Sequence, residues 1–167
     1  MRLAELVTAA DLKDINYLLL LEGAKQVGGG VELRKRTKAR AKMVSDAKLA
    51  ELLIEIPEVP RTKARAAWSH WMALVTVRQP FFDANHRTAL MAFNLATNKT
   101  WSFEYSLGTA DLEAMMIGSR KLVKQAHRPA ADAPRMATVT ALRNPDHPAR
   151  QFYAGFEAKL KENARKT

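Results

Sequence analysis

A short stretch near the middle of the chain, QPFFDANHRTAL from Gln79 to Leu90, concentrates the residues that can do chemistry. Asp83 and Arg87 are charged side chains just ahead of an alanine-rich apolar run. If Asp83 or Asn85 caps a helix that starts here, the free N–H groups of its first turn form an anion site together with the helix dipole. The stretch therefore predicts a phosphate site at a helix N-terminus.

Four side chains of this stretch have roles that follow from charge and position. Arg87 in a first helical turn is unfavourable for the dipole, so its presence indicates a charge supplied by a ligand. His86 beside it can donate to the same phosphate, and Phe81 is expected to anchor the loop inward. Asp83 offers the oxygen that Mg²⁺ needs while the ion keeps its waters and phosphate oxygens. Taken alone, the pattern is more often an ordinary capping Asp with a surface Arg and a surface His.

The order of the residues is more particular, because it resembles the signature of the Fic/Doc (Fido) family. That signature is HPFxDGNGR in the Fic branch and HxFx(D/N)(A/G)N(K)R in the death-on-curing branch. The residues that match it are Pro80, Phe81, Asp83, Asn85 and Arg87, with Ala84 at the small-residue position and Thr88-Ala89-Leu90 continuing as in the death-on-curing branch. The match is specific but short.

The resemblance implies a helical fold that binds ATP or another nucleoside triphosphate with Mg²⁺. Members transfer AMP, another nucleotide or a phosphate to a hydroxyl group of a target protein. By position, Asp83 would be the Mg²⁺ ligand and Arg87 would clamp the outer phosphates. The remaining implied nucleotide-site residues are Phe81, the backbone of Ala84 to His86, and Asn85 as a phosphate or loop-fixing contact.

Two positions depart from the family pattern. The motif opens with a His that serves as general base, and this chain has Gln79 there. General-base catalysis typically contributes about 10²- to 10⁴-fold, so nucleotide binding can persist while transfer falls. Gln79 is either natural to a member kept for binding or a replacement that disarms a toxic protein. His86 stands where the family has Gly or Lys, which favours the death-on-curing branch; it could also replace the missing base only if the substrates bound in another register.

Family members are inhibited by a helix carrying (S/T)xxxE(G/N), whose Glu meets the phosphate-clamping Arg. Two near misses occur here, ending in Glu22-Gly23 and in Glu162-Asn163, and both lack the hydroxyl residue. No built-in inhibitor is predicted. If the protein is the toxin of a toxin–antitoxin pair, a separate antitoxin protein is expected to supply the inhibiting helix.

The composition of the whole chain sets its class. The 167 residues are 47% hydrophobic, which predicts one domain over residues 1–167 with a substantial core. The absence of Cys excludes disulfides, thiolate metal sites and a Cys nucleophile, and it fits a cytoplasmic address. Neither a signal peptide nor a membrane span is expected, because acidic residues precede the apolar cluster from Tyr17 to Leu21.

The formal net charge of +10 is concentrated in basic runs that offer an alternative function. Six cations occur among the nine residues from Arg34 to Lys42, and the hexapeptide RTKARA occurs at Arg36 and again at Arg61. Two such helical faces would suit a non-catalytic module that binds nucleic acid or protein. Solvated helix surfaces explain the same runs, since no aromatic residues interleave them.

Leu, Ala, Met, Lys and Glu dominate without sustained alternation of polar and apolar residues, so an all-α fold is predicted. Six helices are expected. The first runs from Thr8, with Asp11 completing a partial capping box, to the glycines at Gly28, the second covers Glu32 to Glu55, and the third runs from Pro60 to just before Gln79. The fourth begins in the motif, the fifth runs from Thr109 to Gln125, and the sixth follows Pro148 and extends through Leu160. His127 to Pro134 is expected to be a loop.

Overall fold

The structure is a computed structural model that describes residues 2–26, 28, 30–56, 58–126 and 138–164. Helices make up most of this part of the chain, which confirms the all-α prediction. The α-helices are α1 (Leu3–Leu6), α2 (Ala9–Gln26), α3 (Val31–Lys42), α4 (Asp46–Ile54), α5 (Ala64–Arg78), α6 (Asn85–Trp101), α7 (Thr109–Ala126), α8 (Val139–Arg143) and α9 (Pro148–Ala154). Two short strands, β1 (Phe103–Ser106) and β2 (Lys161–Ala164), pair in antiparallel fashion, and 3-10 turns occupy Arg61–Lys63 and Glu157–Lys159.

The centre of the molecule is the antiparallel pair of α5 and α6. The second half of α5 is buried on all sides, and α6 packs against α5, α2, α1 and β1. The Trp71 Nε1–H donates to the Ala89 carbonyl at 2.8 Å, which joins the two helices inside the core. The connection between α5 and α6, which carries the QPFFDANHR stretch, is therefore supported by the most buried elements.

Helix α2 begins at the position predicted from the sequence, next to Thr8. The Thr8 N–H donates to Asp11 Oδ2 at 2.8 Å and the Asp11 N–H donates to Thr8 Oγ1 at 3.1 Å, which is a reciprocal capping box. From there α2 runs to Gln26 and packs against both α6 and α3. The short helix α1 ahead of it was not predicted.

The prediction of one helix over Glu32 to Glu55 is wrong, because the structure has two helices there, α3 and α4, separated by residues 43–45. Ser45 is extended, with φ −66° and ψ 133°, and it begins α4. Along α3 only Thr37 is buried among the described side chains, whereas α4 buries Leu49, Leu52 and Leu53. A continuous helix would follow the direction of the basic α3, so the break lets α4 turn its leucines into the core.

The C-terminal part also differs from the prediction. The last helix ends at Ala154, so Leu160 lies beyond it, and the chain then returns as β2 beside β1. The Asn94 side chain on α6 bonds both backbone groups of Tyr105, at 2.9 and 3.0 Å, and so fixes β1 on the core. The helix predicted from Thr109 to Gln125 is confirmed as α7. The loop predicted at residues 127–134 lies outside the described residues.

Within the described ranges, no helix has both the length and the apolar character required to cross a bilayer.

Candidate anion site at the start of α6

The loop from α5 to α6 is bounded by two residues in the left-handed conformation. Gln79, with φ 45° and ψ 56°, ends α5, and its N–H donates to the Val75 carbonyl at 3.1 Å. Ala84, with φ 61° and ψ 20°, immediately precedes α6. L-residues adopt this region at a cost, so the surrounding contacts must hold the loop in place.

One buried amide provides most of that support. Asn85 is 3% exposed, and its side chain donates from Nδ2 to the Phe81 carbonyl at 2.9 Å while Oδ1 accepts from the Phe81 N–H at 2.9 Å. The same Nδ2 also lies 3.2 Å from Gln79 Oε1. Of the two roles expected for Asn85, the structure shows the loop-fixing one.

The cap of α6 is not the one expected from the sequence. Ala84 is the capping position, and neither Asp83 nor Asn85 caps the helix with its side chain. Asp83 Oδ1 accepts from the Ala84 N–H, and Asn85 turns back toward Phe81, so both side chains are used within the loop. The first helical bond runs from the Thr88 N–H to the Ala84 carbonyl at 2.9 Å. The N–H groups of residues 85–87 make no hydrogen bond in the described part of the chain, as is usual in the first turn of a helix, and Asn85 is 3% exposed.

Asp83 and Arg87 line one cavity. The cavity has a volume of about 330 Å³ and lies between α2, α3 and the loop. Its lining residues are Leu19, Leu20, Gly23, Ala24, Thr37, Arg40, Phe82, Asp83 and Arg87. Arg87 is exposed and has no carboxylate partner in the described part of the chain. Its guanidinium is therefore available to a ligand.

Asp83 fits a Mg²⁺ ion that arrives with a nucleotide. Its side chain is exposed, and one carboxylate is enough for an ion that keeps several waters and phosphate oxygens as ligands. No group of three or more His, Cys, Asp or Glu suited to a metal occurs among the described residues, so the structure offers no all-protein cage there. The metal site would be complete only with phosphate present.

The amide of Gln79 is held at both ends. Its Nε2 donates to the Thr76 carbonyl in the last turn of α5, and its Oε1 accepts from Asn85. Thr76 in turn accepts at Oγ1 from the buried Tyr153 hydroxyl at 2.8 Å. Position 79 is thus part of the loop's framework, a role that the sequence alone does not indicate.

His86 and Phe81 do not line the cavity of Asp83 and Arg87. The His86 ring is half-buried, and burial, with a smaller effect of the Arg120 guanidinium, lowers its pKa to about 4. With this pKa the imidazole carries no positive charge toward a phosphate at pH 7. Phe81 is 3% exposed and anchors the loop in the core, so its side chain is not open to a nucleotide.

Asn16 on α2 is a site residue that the sequence analysis missed. It is 1% exposed, and its Nδ2 donates to the Asp83 carbonyl at 2.9 Å and to Thr88 Oγ1 at 3.0 Å. These bonds attach the loop and the first turn of α6 to α2. One sequence feature could have indicated this role. Asn16 lies one helical turn after the buried Leu12, and a buried amide needs hydrogen-bond partners.

Neither of the two segments that nearly match the inhibitory motif places a carboxylate against Arg87 in the described part of the chain. Glu22 is exposed on α2 and lies 3.7 Å from Lys25 Nζ. The second near miss spans a 3-10 turn and β2 rather than a helix.

Comparison of the chain with models of known protein families, with curated proteins and with solved structures gave no match. The resemblance to the Fic/Doc family therefore rests on the motif residues alone.

Proposed function

We propose that the protein binds a nucleoside triphosphate with Mg²⁺ at the start of α6, in the manner of Fic/Doc enzymes of the death-on-curing type. Such enzymes transfer a nucleotide or a phosphate to a hydroxyl group of a target protein. With Gln79 in place of the general base, this chain binds the nucleotide and transfers it poorly. A separate antitoxin-like protein is the expected regulator.

The observation that carries the proposal is the placement of Asp83 and Arg87 in one cavity at the first turn of α6. A carboxylate, a guanidinium and unpaired backbone N–H groups together match what a Mg²⁺-bound polyphosphate requires. The loop that carries them is fixed by Asn85 and Asn16, so the groups are in place before a ligand binds.

Each group has a separate task in this proposal. The N–H groups of residues 85–87 bind phosphate oxygens, and Arg87 neutralises the outer phosphates. Asp83 is the protein ligand of Mg²⁺, which would offset phosphate charge when bound. In the family motif the position of Gln79 is that of the base that takes the proton of the attacking hydroxyl, and an amide has no basicity for that step.

Calorimetry with ATP and GTP, each with and without Mg²⁺, tests this function. Losing a charge-assisted hydrogen bond costs about 1.5 to 3 kcal/mol, so Arg87→Ala should weaken binding at least about tenfold. Asp83→Asn should remove most of the Mg²⁺ dependence. Arg34→Ala is the matched control, since it removes the same charge from an exposed residue outside the cavity lining. Equal affinity in the wild type and Arg87→Ala would refute the site.

A second function, a non-catalytic module that binds nucleic acid, is favoured by one observation. The cations of α3 are exposed, and Arg34, Lys35, Lys38 and Lys42 have no acidic partner among the described residues. Binding to DNA or RNA that weakens steeply with salt, with no affinity for nucleotides, would support this function over the first.

A further inference from the structure

Arg40 is the charged residue of α3 that lines the cavity of the candidate site. It lies in the last turn of α3 and lines the same cavity as Asp83 and Arg87. Its guanidinium lies over the ring of Phe82, with Cζ 4.5 Å from the ring centroid. Phe82 directly precedes Asp83 in the loop, so this contact places a second cation next to the expected metal ligand.

Arg40 is exposed, and solvent can hydrate its charge. Some cations of the molecule have carboxylate partners, such as Lys13 with Asp46 and Arg143 with Glu55, whereas Arg34 and Lys38 of α3 have none among the described residues. Arg40 has none in the described part of the chain, and its contact with Phe82 engages only the face of the guanidinium. The N–H groups along the edge stay available, as they do when Arg stacks on an aromatic ring.

A helix C-terminus favours cations, which explains a basic residue at position 40 but not its position over the loop. Phe82 is 74% exposed, and an exposed aromatic ring at this place gains little by itself. Together the two side chains place a planar donor at the wall of the cavity. Lys42, in the same turn of α3, lines a different cavity.

The charges of the cavity indicate which ligand would use both arginines. Arg40 and Arg87 carry two positive charges against the one negative charge of Asp83. A bidentate guanidinium engages two oxygens of one phosphate group, and a chain of phosphates presents more oxygens and more negative charge to a second guanidinium. Mg²⁺ at Asp83 would add further positive charge, which suits the larger charge of a di- or triphosphate.

From these contacts we propose that Arg40 is a second phosphate-binding residue, and that the site selects nucleoside di- and triphosphates over monophosphates. Phe82 is the positioning residue that orients the Arg40 guanidinium. This inference rests on the proposed function, because it adds a residue and a substrate preference to the same site.

The test compares the affinities for ATP, ADP and AMP at constant Mg²⁺ and ionic strength. Arg40→Ala should weaken binding of ATP and ADP about tenfold and change that of AMP less than about twofold. Phe82→Leu should cause a smaller loss of affinity, again larger for ATP and ADP than for AMP, because the Arg40 guanidinium is kept but no longer stacks on an aromatic ring. Arg34→Ala, on the same helix, should leave all three affinities nearly unchanged. Circular dichroism and denaturation midpoints establish that each variant is folded.

The outcomes separate this inference from the proposed function. If Arg87→Ala loses affinity and Arg40→Ala does not, the second cation is refuted and the nucleotide site stands. Equal losses in Arg40→Ala and Arg34→Ala would show a general effect of charge and would also refute it. If the wild type binds none of the three nucleotides, the proposed function fails and this inference fails with it.

Discussion

Asn85 and Gln79 show how much of the candidate site depends on amide side chains. Asn85 pairs with both backbone groups of Phe81, and Gln79 connects Asn85 to the end of α5. Their bonds fix the loop on which Asp83 is carried, while neither amide supplies a charge or a base. At the residue scale, both amides serve to hold the loop in place.

Replacing Gln79 by His tests whether only the base is missing. His tolerates the left-handed conformation of position 79 better than most residues, so the loop should keep its shape. An imidazole there should raise transfer of labelled phosphate or nucleotide to proteins of a cell lysate by about two orders of magnitude or more. Gln79→His combined with Asp83→Ala is the control and should be inactive.

Strong transfer by the Gln79 form that does not change in Gln79→His would show that the base lies elsewhere. In that case the tethered amide would have a purely structural role.

At the scale of elements, the parts that the sequence predicts well are those governed by local chemistry. The capping box of Thr8 and Asp11 starts α2, and Pro80 stops α5 before Gln79. The break between α3 and α4 was not predicted, because its cause is the burial of distant leucines rather than any Pro or Gly at residues 43–45. The strand pair β1–β2 was missed for the same reason, since its partners lie far apart in the chain.

The attachment of β1 to α6 depends on one side chain, Asn94. Replacing it by Ala leaves the N–H and carbonyl of the buried Tyr105 without their partner. The free energy of unfolding should fall by about 2 to 3 kcal/mol, as measured by urea denaturation. Asn98→Ala on the same helix is the control, because no side-chain hydrogen bond of Asn98 occurs among the described residues. A loss no larger than that of the control would show that Asn94 does not hold the strand.

At the scale of the whole molecule, the site was only partly predictable. Asp83 and Arg87 belong to one contiguous motif, and their shared cavity follows from a helix that starts between them. Asn16 and Arg40 come from α2 and α3, and Asn16 is separated from Asp83 by 67 positions. Packing of α2 on α6 and of α3 on α2 brings them to the loop, and no local pattern encodes that packing.

Two histidines in different helices are expected to make the free energy of unfolding depend on pH. Burial lowers the pKa of His70 and of His86 to about 4, with nearby Arg150 and Arg120 adding to the effect. In the unfolded chain both would titrate near 6.5. Between these values the unfolded state binds protons that the folded state does not, so the free energy of unfolding should decrease as pH falls from about 6.5 toward 4.

Urea denaturation at about pH 7.5 and 5.5 measures this effect above the range in which carboxylates titrate. For His86 the decrease should be at most about 1.4 kcal/mol for each pH unit within that window. His86→Gln should reduce the dependence and leave the part due to His70. An unchanged dependence in His86→Gln would show that the imidazole is solvated and titrates normally.

The bonds from Asn16 to the Asp83 carbonyl and the Thr88 hydroxyl have a consequence for how a ligand would be bound. They tie α2, the loop and α6 into one unit, so the loop loses its conformational entropy when the protein folds. A ligand that binds there does not have to order the loop again, and more of its interaction energy appears as affinity. This face of the cavity, formed by α2, the loop and the start of α6, is therefore pre-organised.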